Sequence, residues 1–560
     1  MTRRGYLRRG SGCLLVGSLA ACNAIFGFAD LTAGPDADAS ADAAGESDPP
    51  ESRDAAMFDA SIDGGIPDAR TDGDVPPVHA PLSIRFTDEN PAMGAVRGTV
   101  VLGAAADESD VTSYDLYWGS SATTKLSALT TLAKAGGTLE YKLSAVPPKG
   151  TTHLLAFSAN RAGEMLAGVE FAPVDTAFVD ISTLPNSGLE PSAVIDVEHR
   201  RLLVVTRYDR LGDQFGGRPA LFRCELPTPD GGTSCTYSDI DVGKGDGSGL
   251  APAAVLDGEN HRLLVVTNDY SPLSGPNQIP GLFRCELGDG GAPFCQFLDI
   301  SVGQTTYSGY NPSVVVDPAN RKLLAVTDYL GYRPGLFRCE LDGTSCGFVD
   351  ISAGQADRCG HFPSSAIDAK HGRLLVATQN GANEEKAGLF RCDLEKLDGG
   401  ASCRYSDISA KQGPYSGLTP SAVVDVMGNK LLVVTDNRAN SDKLGLFRCD
   451  LDDLDGRNCT YADISAGQGA TSGVAPSAVI DKAHGKLLVV TENVDSNLGL
   501  FRCDLDGANC TYADLSAGHP QNSGYAPSAV IDELNHRLFV ATTNNAGGLS
   551  SAGLFSVDLW

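Results

Sequence analysis

In roughly the last two thirds of the chain, apolar and polar positions recur in one four-part rhythm, complete over 472–516 as SGVAPSAVIDKAHGKLLVVTENVDSNLGLFRCDLDGANCTYADLS. Small and branched residues alternate over 476–480, a nearly continuous apolar run covers 486–491, and alternation returns over 499–505 and 511–516. Period-two alternation predicts half-buried strands, and a short apolar run between turn residues predicts a strand buried on both faces. Each repeat is therefore predicted to hold four strands, A to D. The strand B core reads LLVV at 202–205, 263–266, 431–434 and 487–490, with LLAV, LLVA and LFVA in the other copies. Such runs suit sheets stacked on one another, and the small Ser-Ala-Val set of strand A suits a crowded centre.

The prolines near the start of strand A fall at Pro191, Pro252, Pro312, Pro363, Pro420, Pro476 and Pro527, spaced 51 to 61 residues apart. That period is too long for most helical repeats and suits four-stranded blades in a ring, a β-propeller. The strand D motif, aromatic-x-Asp-Ile/Leu, also occurs seven times, but its first copy (178–181) precedes the first strand A and none follows the last strand C at 553–559. Residues 178–182 are thus expected to complete the last blade and remove the free edge. The predicted fold class is all-β: a seven-bladed β-propeller over 176–560 with N-terminal-strand closure, preceded by a small β-sandwich. The pattern P-S-A-V-I-D…G-K-L-L-V-V-T-E-N at 476–493 resembles NHL and YncE-type propeller repeats. The likeness covers strands A and B and implies a fold without a specific activity.

Three segments precede the array. Residues 1–22 carry Arg3, Arg4, Arg8 and Arg9, then a short apolar run around Leu14, Leu15 and Val16, then small residues, the layout of an export signal. The end of this segment, Leu19-Ala20-Ala21-Cys22, resembles the lipobox of bacterial lipoproteins, which implies cleavage before Cys22 and acylation of that cysteine. Several acyl chains anchor firmly where a single one is marginal. Asn23 stands where an aspartate marks inner-membrane retention in enteric bacteria, and so points to the outer membrane. Residues 23–81 are rich in Asp, Ala, Gly, Pro and Ser, with 13 acidic against 2 basic side chains over 23–80. A disordered, self-repelling spacer is expected there, since the acidic spacings lack the glycine turn and closing glutamate of an EF-hand loop. Residues 82–175 show alternating runs at 82–86, 98–102, 113–118, 139–143 and 153–159, the pattern of a β-sandwich. YDLYWG at 114–119 and the segment 147–164 resemble a fibronectin type III domain, with His153 where that family places a corner tyrosine.

The fifteen cysteines sort by the repeat. Cys13 falls in the leader and Cys22 at its end. Twelve are near neighbours bracketing a C-to-D turn: Cys224 and Cys235, Cys285 and Cys295, Cys339 and Cys346, Cys392 and Cys403, Cys449 and Cys459, Cys503 and Cys510. They suit disulfides in an oxidising compartment; two thiolates per blade supply no four-ligand zinc set. Cys359 is left over, two residues from His361, and no third group completes a Cys/His nucleophile. The strand A aspartates (Asp196, Asp257, Asp317, Asp368, Asp425, Asp481, Asp532) each precede a basic residue by five, and the two are expected to face across the A-to-B turn. Strand C arginines such as Arg223 and Arg448 are candidates to pair with strand D aspartates such as Asp239 and Asp463. Histidines His199, His261, His371, His484 and His536 sit in separate A-to-B turns and do not converge on one metal.

Seven identical copies of a residue build blades, so function is expected where the copies differ. Strand B is followed by Tyr208, Asp209, Asn268, Asp269, Tyr270, Asp328, Tyr329, Gln379, Asn380, Asp436, Asn437, Glu492, Asn493, Asn544 and Asn545, then by loops of varied length. In a propeller these positions ring one mouth of the channel, giving an acidic, tyrosine-bearing rim. That chemistry suits a carbohydrate, peptide or protein partner, and ordinary polar loops have the same composition. A formal net charge of −27 argues against nucleic acid. Beyond the leader no stretch approaches the roughly 20 apolar residues of a spanning helix, so the membrane tie is the N-terminal lipid. The resulting expectation is a monomeric, lipid-anchored, exported binding or scaffold protein of a Gram-negative cell envelope. No catalytic residue, metal ligand or cofactor is assigned, with calcium left open. The alternative is a propeller-type hydrolase or lyase, lactonase- or glycosidase-like, whose mouth holds calcium through Asp328, Asp436, Glu492 and Asn268; no HExxH or GxSxG motif accompanies them.

Overall fold

The computed structural model describes residues 75–559 apart from 89–95, 120–122, 149–150, 152, 167, 172–175, 183, 210–216, 227–233, 271–277, 289–291, 305–306, 400–402, 454–457, 494–495, 517–521 and 546–549. The leader, Cys22 and the acidic stretch up to 74 lie outside the described residues. The described elements are strands and a few 3-10 turns, so the chain is all-β.

The first eight strands are β1 (Pro81–Asp88), β2 (Val96–Ala105), β3 (Ser113–Gly119), β4 (Lys125–Ala133), β5 (Leu139–Ala145), β6 (His153–Asn160), β7 (Gly163–Glu164) and β8 (Val169–Phe171). One sheet has the order β1-β2-β5; the other runs β4-β3-β6-β7, with β8 also on β6. Between them Phe86, Val100, Leu102, Tyr114, Leu116, Trp118, Leu143 and Leu154 form one core. Strand β4 escaped the sequence reading for a physical reason. Its pairing with β3 shifts register twice, between Leu116 and Tyr117 and between Trp118 and Gly119, so Leu126, Leu129 and Leu132 recur every third residue rather than every second.

Seven four-stranded antiparallel sheets follow among the described residues, six of them in chain order A-B-C-D. The first holds Leu189–Asp196, Arg201–Asp209, Gly217–Glu225 and Cys235–Asp239; the seventh holds Tyr525–Asp532, Arg537–Asn544 and Ser551–Asp558. The fourth strand of that seventh sheet is β9 (Thr176–Asp180), antiparallel to strand C with Gly553 opposite Asp180 and Val557 opposite Thr176. Each strand A touches strand A of the next sheet, and the first touches the last, the arrangement of a β-propeller. Alternate residues of each strand B enter two different cores. Leu203 and Val205 pack with the second sheet's Leu263 and Val265, while Leu202 and Val204 pack with the seventh sheet's Phe539 and Ala541. Both faces are apolar, which is why the run is continuous.

The recurring polar residues are joints. The strand A serine accepts a backbone N–H from the next sheet: Ala254 N–H donates to Ser192 Oγ (3.0 Å), Ser365 to Ser313 (2.9 Å), Ala422 to Ser364 (3.0 Å), Ala478 to Ser421 (3.0 Å), Ala529 to Ser477 (3.0 Å) and Ala193 to Ser528 (2.9 Å). The second sheet has Ala253 at this position and lacks that acceptor. The Ser-Gly pair before strand A meets the preceding strand C so closely that a Cβ on Gly417 would lie 2.1 Å from the Ala387 nitrogen, and one on Gly188 would lie 2.0 Å from the Ser551 carbonyl carbon.

The strand A aspartates do face their basic partners in register, as Asp196 does Arg201, but the charges pair elsewhere. The basic residues reach acids ending strand C: Arg262 to Glu286 (2.9 Å), Lys430 to Asp450 (2.6 Å), Arg537 to Asp558 (2.6 Å). The aspartates are buried and accept from the turn itself, where His199, His371 and His484 place Nδ1 2.9, 2.7 and 2.7 Å from Asp196, Asp368 and Asp481. Strand D aspartates likewise cap their own turns, Asp239 accepting from the Asp241 amide (3.0 Å) and Asp463 from the Ser465 amide (2.9 Å), rather than pairing with strand C arginines. All six predicted cysteine pairs are disulfides joining strand C or its end to the start of strand D. Such bonds fit an extracellular or envelope setting, and among the described residues no helix is long and apolar enough to cross a membrane.

Candidate functional site

The ends of the B strands carry most of the sequence-predicted rim, and the pleat divides these residues into two sets. Side chains two places beyond the strand B threonine turn toward strand D of their own sheet. Asn380, Asn437 and Asn493 Nδ2 donate to the hydroxyls of Tyr405, Tyr461 and Tyr512 at 2.6, 2.8 and 3.0 Å. Tyr329 packs on Phe348 with centroids 4.9 Å apart, Asp269 is buried with Lys244 Nζ at 3.9 Å, and Asn544 is buried. Tyr208 is half-buried opposite Arg218. Most of these contacts brace strand B against strand D within one sheet. Further out, Asn545 donates its amide to the Asn522 carbonyl (2.8 Å) and accepts from Ser550 Oγ (2.7 Å).

Side chains one place beyond the threonine, Arg207, Asn268, Asp328, Gln379, Asp436, Glu492 and Thr543, lie on the opposite face of the strand. Several meet strand A of the next sheet, where Thr419 N–H donates to Gln379 Oε1 (3.5 Å) and the Phe362 and Ala526 amides bond to Asp328 and Glu492. In the A–B ladder they stand opposite Leu189, Leu250, Tyr310, His361, Leu418, Val474 and Tyr525. The next residue of strand A is left-handed in all seven copies, Glu190, Ala251, Asn311, Phe362, Thr419, Ala475 and Ala526 having φ of 42 to 51°. A register shift follows each, a bulge that aims these side chains away from the ladder. Sequence reasoning did not assign Arg207, Thr543, Glu190, Asn311, Thr419 or Tyr310 to the site; aligning the repeats column by column exposes them, because their columns differ from copy to copy.

The inner column is buried and charged. In the first sheet Arg207 lies 3.0 Å from Glu190 and 2.7 Å from Asp209, and Glu190 also accepts the Ala251 amide at 2.8 Å. Burial opposes both charges; it leaves Glu190 above its ordinary range, while Glu190 and Asp209 hold the Arg207 guanidinium firmly protonated. Elsewhere the acids lack a cation of that kind. Burial pushes the Asp436 carboxyl up to about 8, with Asp442 adding and Arg438 opposing. Burial also raises Glu492 to about 7, against the Ser496 hydroxyl that donates to it at 2.7 Å. Asp328 is raised well above its usual value by burial, with Asn311 Nδ2 donating to Oδ2 at 2.9 Å. Asn268 Oδ1, Asp328 Oδ1 and Asp436 Oδ1 are buried without a hydrogen-bond partner among the described residues.

Cys359 does not make a nucleophile. It takes the place of the Ser in the Ser-Gly pair, is buried in the core between the third and fourth sheets, and burial lifts its thiol to about 12. Its carbonyl accepts from Thr378 Oγ1 (2.9 Å) as Ser416 does from Thr435 (2.9 Å). His361 turns away, stacking on Tyr332. A separate polar cleft of about 640 Å3, lined by Arg333, Asp350, Ser352 and Gln355, has its guanidinium engaged by Asp357 at 2.6 Å. Among the described residues no three His, Cys, Asp or Glu side chains group as a metal site, so Asp328, Asp436 and Glu492 do not converge.

No family model and no curated protein matches the chain. Solved structures similar to it include a protein of unknown function from Dyadobacter fermentans (12% identity, 70% of this chain and 100% of that one, TM-score 0.41). A putative 6-phosphogluconolactonase from Bacteroides fragilis shares 12% identity over 72% of this chain and 94% of its own, with a TM-score of 0.36. Trypanosoma rangeli sialidase in complex with the inhibitor DANA shares 12% over 68% and 59%, with a TM-score of 0.38.

Proposed function

We propose that this is a lipid-anchored binding protein of the bacterial envelope, whose seven sheets are the blades of a propeller closed by β9 and whose mouth recognises a carbohydrate, peptide or protein. In this reading Cys22 carries the lipid, 23–81 is the spacer, and 82–175 is a fibronectin type III-like module presenting the ring over 176–560. One observation carries the binding reading: a column that differs from copy to copy is buried and keeps acceptors, Asn268 Oδ1, Asp328 Oδ1 and Asp436 Oδ1, without partners among the described residues. Leaving a buried polar atom unpaired costs stability, so keeping such atoms at a variable position favours a function there. Glycan and peptide arrays, read beside a calcium titration by calorimetry, test it. Array binding that weakens in Asn268→Ala supports the reading; calcium binding with no array signal refutes it. An intact mass showing unmodified Cys22 in the exported protein refutes the anchor.

The hydrolase reading has one observation in its favour. Asp436 and Glu492, at the B-strand ends of adjacent sheets, have carboxyls near 8 and 7, the range a general acid or base needs. Turnover of chromogenic lactones or glycosides that disappears in Glu492→Gln would favour it over binding alone.

A further inference from the structure

The aromatic part of the mouth lies where the third sheet meets the fourth. Tyr310 stands opposite Asp328. Tyr307 stacks on Tyr310 with centroids 6.0 Å apart and planes within 13°, and Tyr332 stacks on His361 at 4.0 Å and 20°. Tyr270 and Tyr332 are close enough to Tyr310 to act on its hydroxyl. Tyr307 is 47% exposed and Asp328 is 1% exposed, so the rings run from solvent to a buried carboxyl. Asp328 Oδ2 accepts from Asn311 and lies 3.8 Å from His361 Nδ1, while Oδ1 has no partner among the described residues. Burial, helped by Arg358, lowers His361 to about 4 and keeps it neutral at physiological pH. Arg358 is exposed and lies 3.8 Å from Glu385.

On the mouth reading above, we infer that this cluster takes an organic ammonium group, from a lysyl side chain or a free amine, between the faces of Tyr307, Tyr310 and Tyr332 and against Asp328 Oδ1. Ring faces attract cations, and more strongly where water is excluded. A sugar needs one platform with donors and acceptors spread around it; here Tyr310 and His361 flank one carboxyl, and Tyr307 and Tyr332 stack on them. The chain's net charge of −27 also draws cations toward it. Burial raises the Asp328 carboxyl well above its usual value and so favours its protonated form before binding, against the Asn311 and Phe362 N–H donors; His361 and Tyr310 also face it. An arriving ammonium stabilises the carboxylate, so the proton leaves to solvent as the ion pair forms.

Calorimetry of the full chain at pH 7 with butylammonium, Nα-acetyl-lysine amide, butanol and methyl glucoside, each in phosphate and in Tris, tests this. Both ammonium compounds should bind, butanol at least about tenfold more weakly, with enthalpies that differ between buffers by one proton released. A tighter acetyl-lysine amide assigns the source to a peptide, and equal affinities assign it to a free amine. Asp328→Asn, which keeps the shape of a neutral side chain, should abolish the proton release and weaken ammonium binding at least about tenfold; Tyr307→Ala, at an exposed ring, should weaken it several-fold. Glucoside binding without ammonium binding overturns the inference and leaves the mouth reading standing, as does proton release that persists in Asp328→Asn. Failure of every array ligand as well overturns the mouth reading itself.

Discussion

Asp436 offers a test of the inner column that needs no ligand. It ends strand B of the fifth sheet, opposite Leu418, and is buried with one oxygen unpartnered. An unfolded aspartate titrates near 4, and in the folded chain burial moves this carboxyl up to about 8. Folding therefore takes up a proton between those values. The contribution to stability is complete below about pH 4 and is lost as pH rises toward and through about 8. A difference of that size corresponds to about 5 kcal/mol over the whole window, an upper bound because the folded chain can relax and admit water. Asp436→Asn replaces the acid with a side chain of the same shape that never ionises. Urea denaturation of both chains at half-unit steps from pH 3.5 to 9 should show nearly equal stability at the acid end and an advantage for the variant that grows from about pH 4 and levels off above about pH 8. A difference that stays constant across that range would refute a desolvated, protonated Asp436. Infrared difference spectra at pH 6 should also show a protonated-carboxyl stretch that the variant lacks.

Two further outcomes follow from the joints between sheets. Ala253→Ser supplies the second sheet with the acceptor that six others have, aimed at the Val314 amide, and should gain about 0.5–1.5 kcal/mol in a urea titration; a loss would mean that the inner strands there sit differently. Replacing Cys224 and Cys235 together with serine should cost about 2–3 kcal/mol, slightly more than replacing Cys339 and Cys346, because 11 residues separate the first pair and 7 the second. Equal stability of the reduced and oxidised chains would contradict a constraint on the unfolded state.

Much of this architecture was legible in the chain. Alternation and continuous apolar runs located the four strands of each repeat, and the surplus D motif at 178–181 anticipated the pairing of β9 with the last strand C. Cysteine spacing alone gave all six disulfides, because each pair brackets one hairpin and its partners are local. Where the partner was distant, spacing misled. Lys430 and Arg537 stand opposite strand A aspartates, yet their charges go to strand C, and the aspartates fold back on their own turns.

The candidate site divides along the same line. The sequence by itself determined that the residues after strand B differ between copies and are polar. It did not separate Asn437, which bonds Tyr461 across its own sheet, from Asp436 one residue earlier, which is buried on the opposite face with one oxygen unpartnered among the described residues. Adjacent residues of a strand point to opposite faces, so a period-two pattern says that two faces exist without saying which is occupied. Occupancy is set by neighbours distant in sequence: Ser364 receives the Ala422 amide, 58 residues on, and His361 approaches Asp328 from the next sheet. Only the packing of sheet on sheet brings those groups together, and with them the burial that raises the acids.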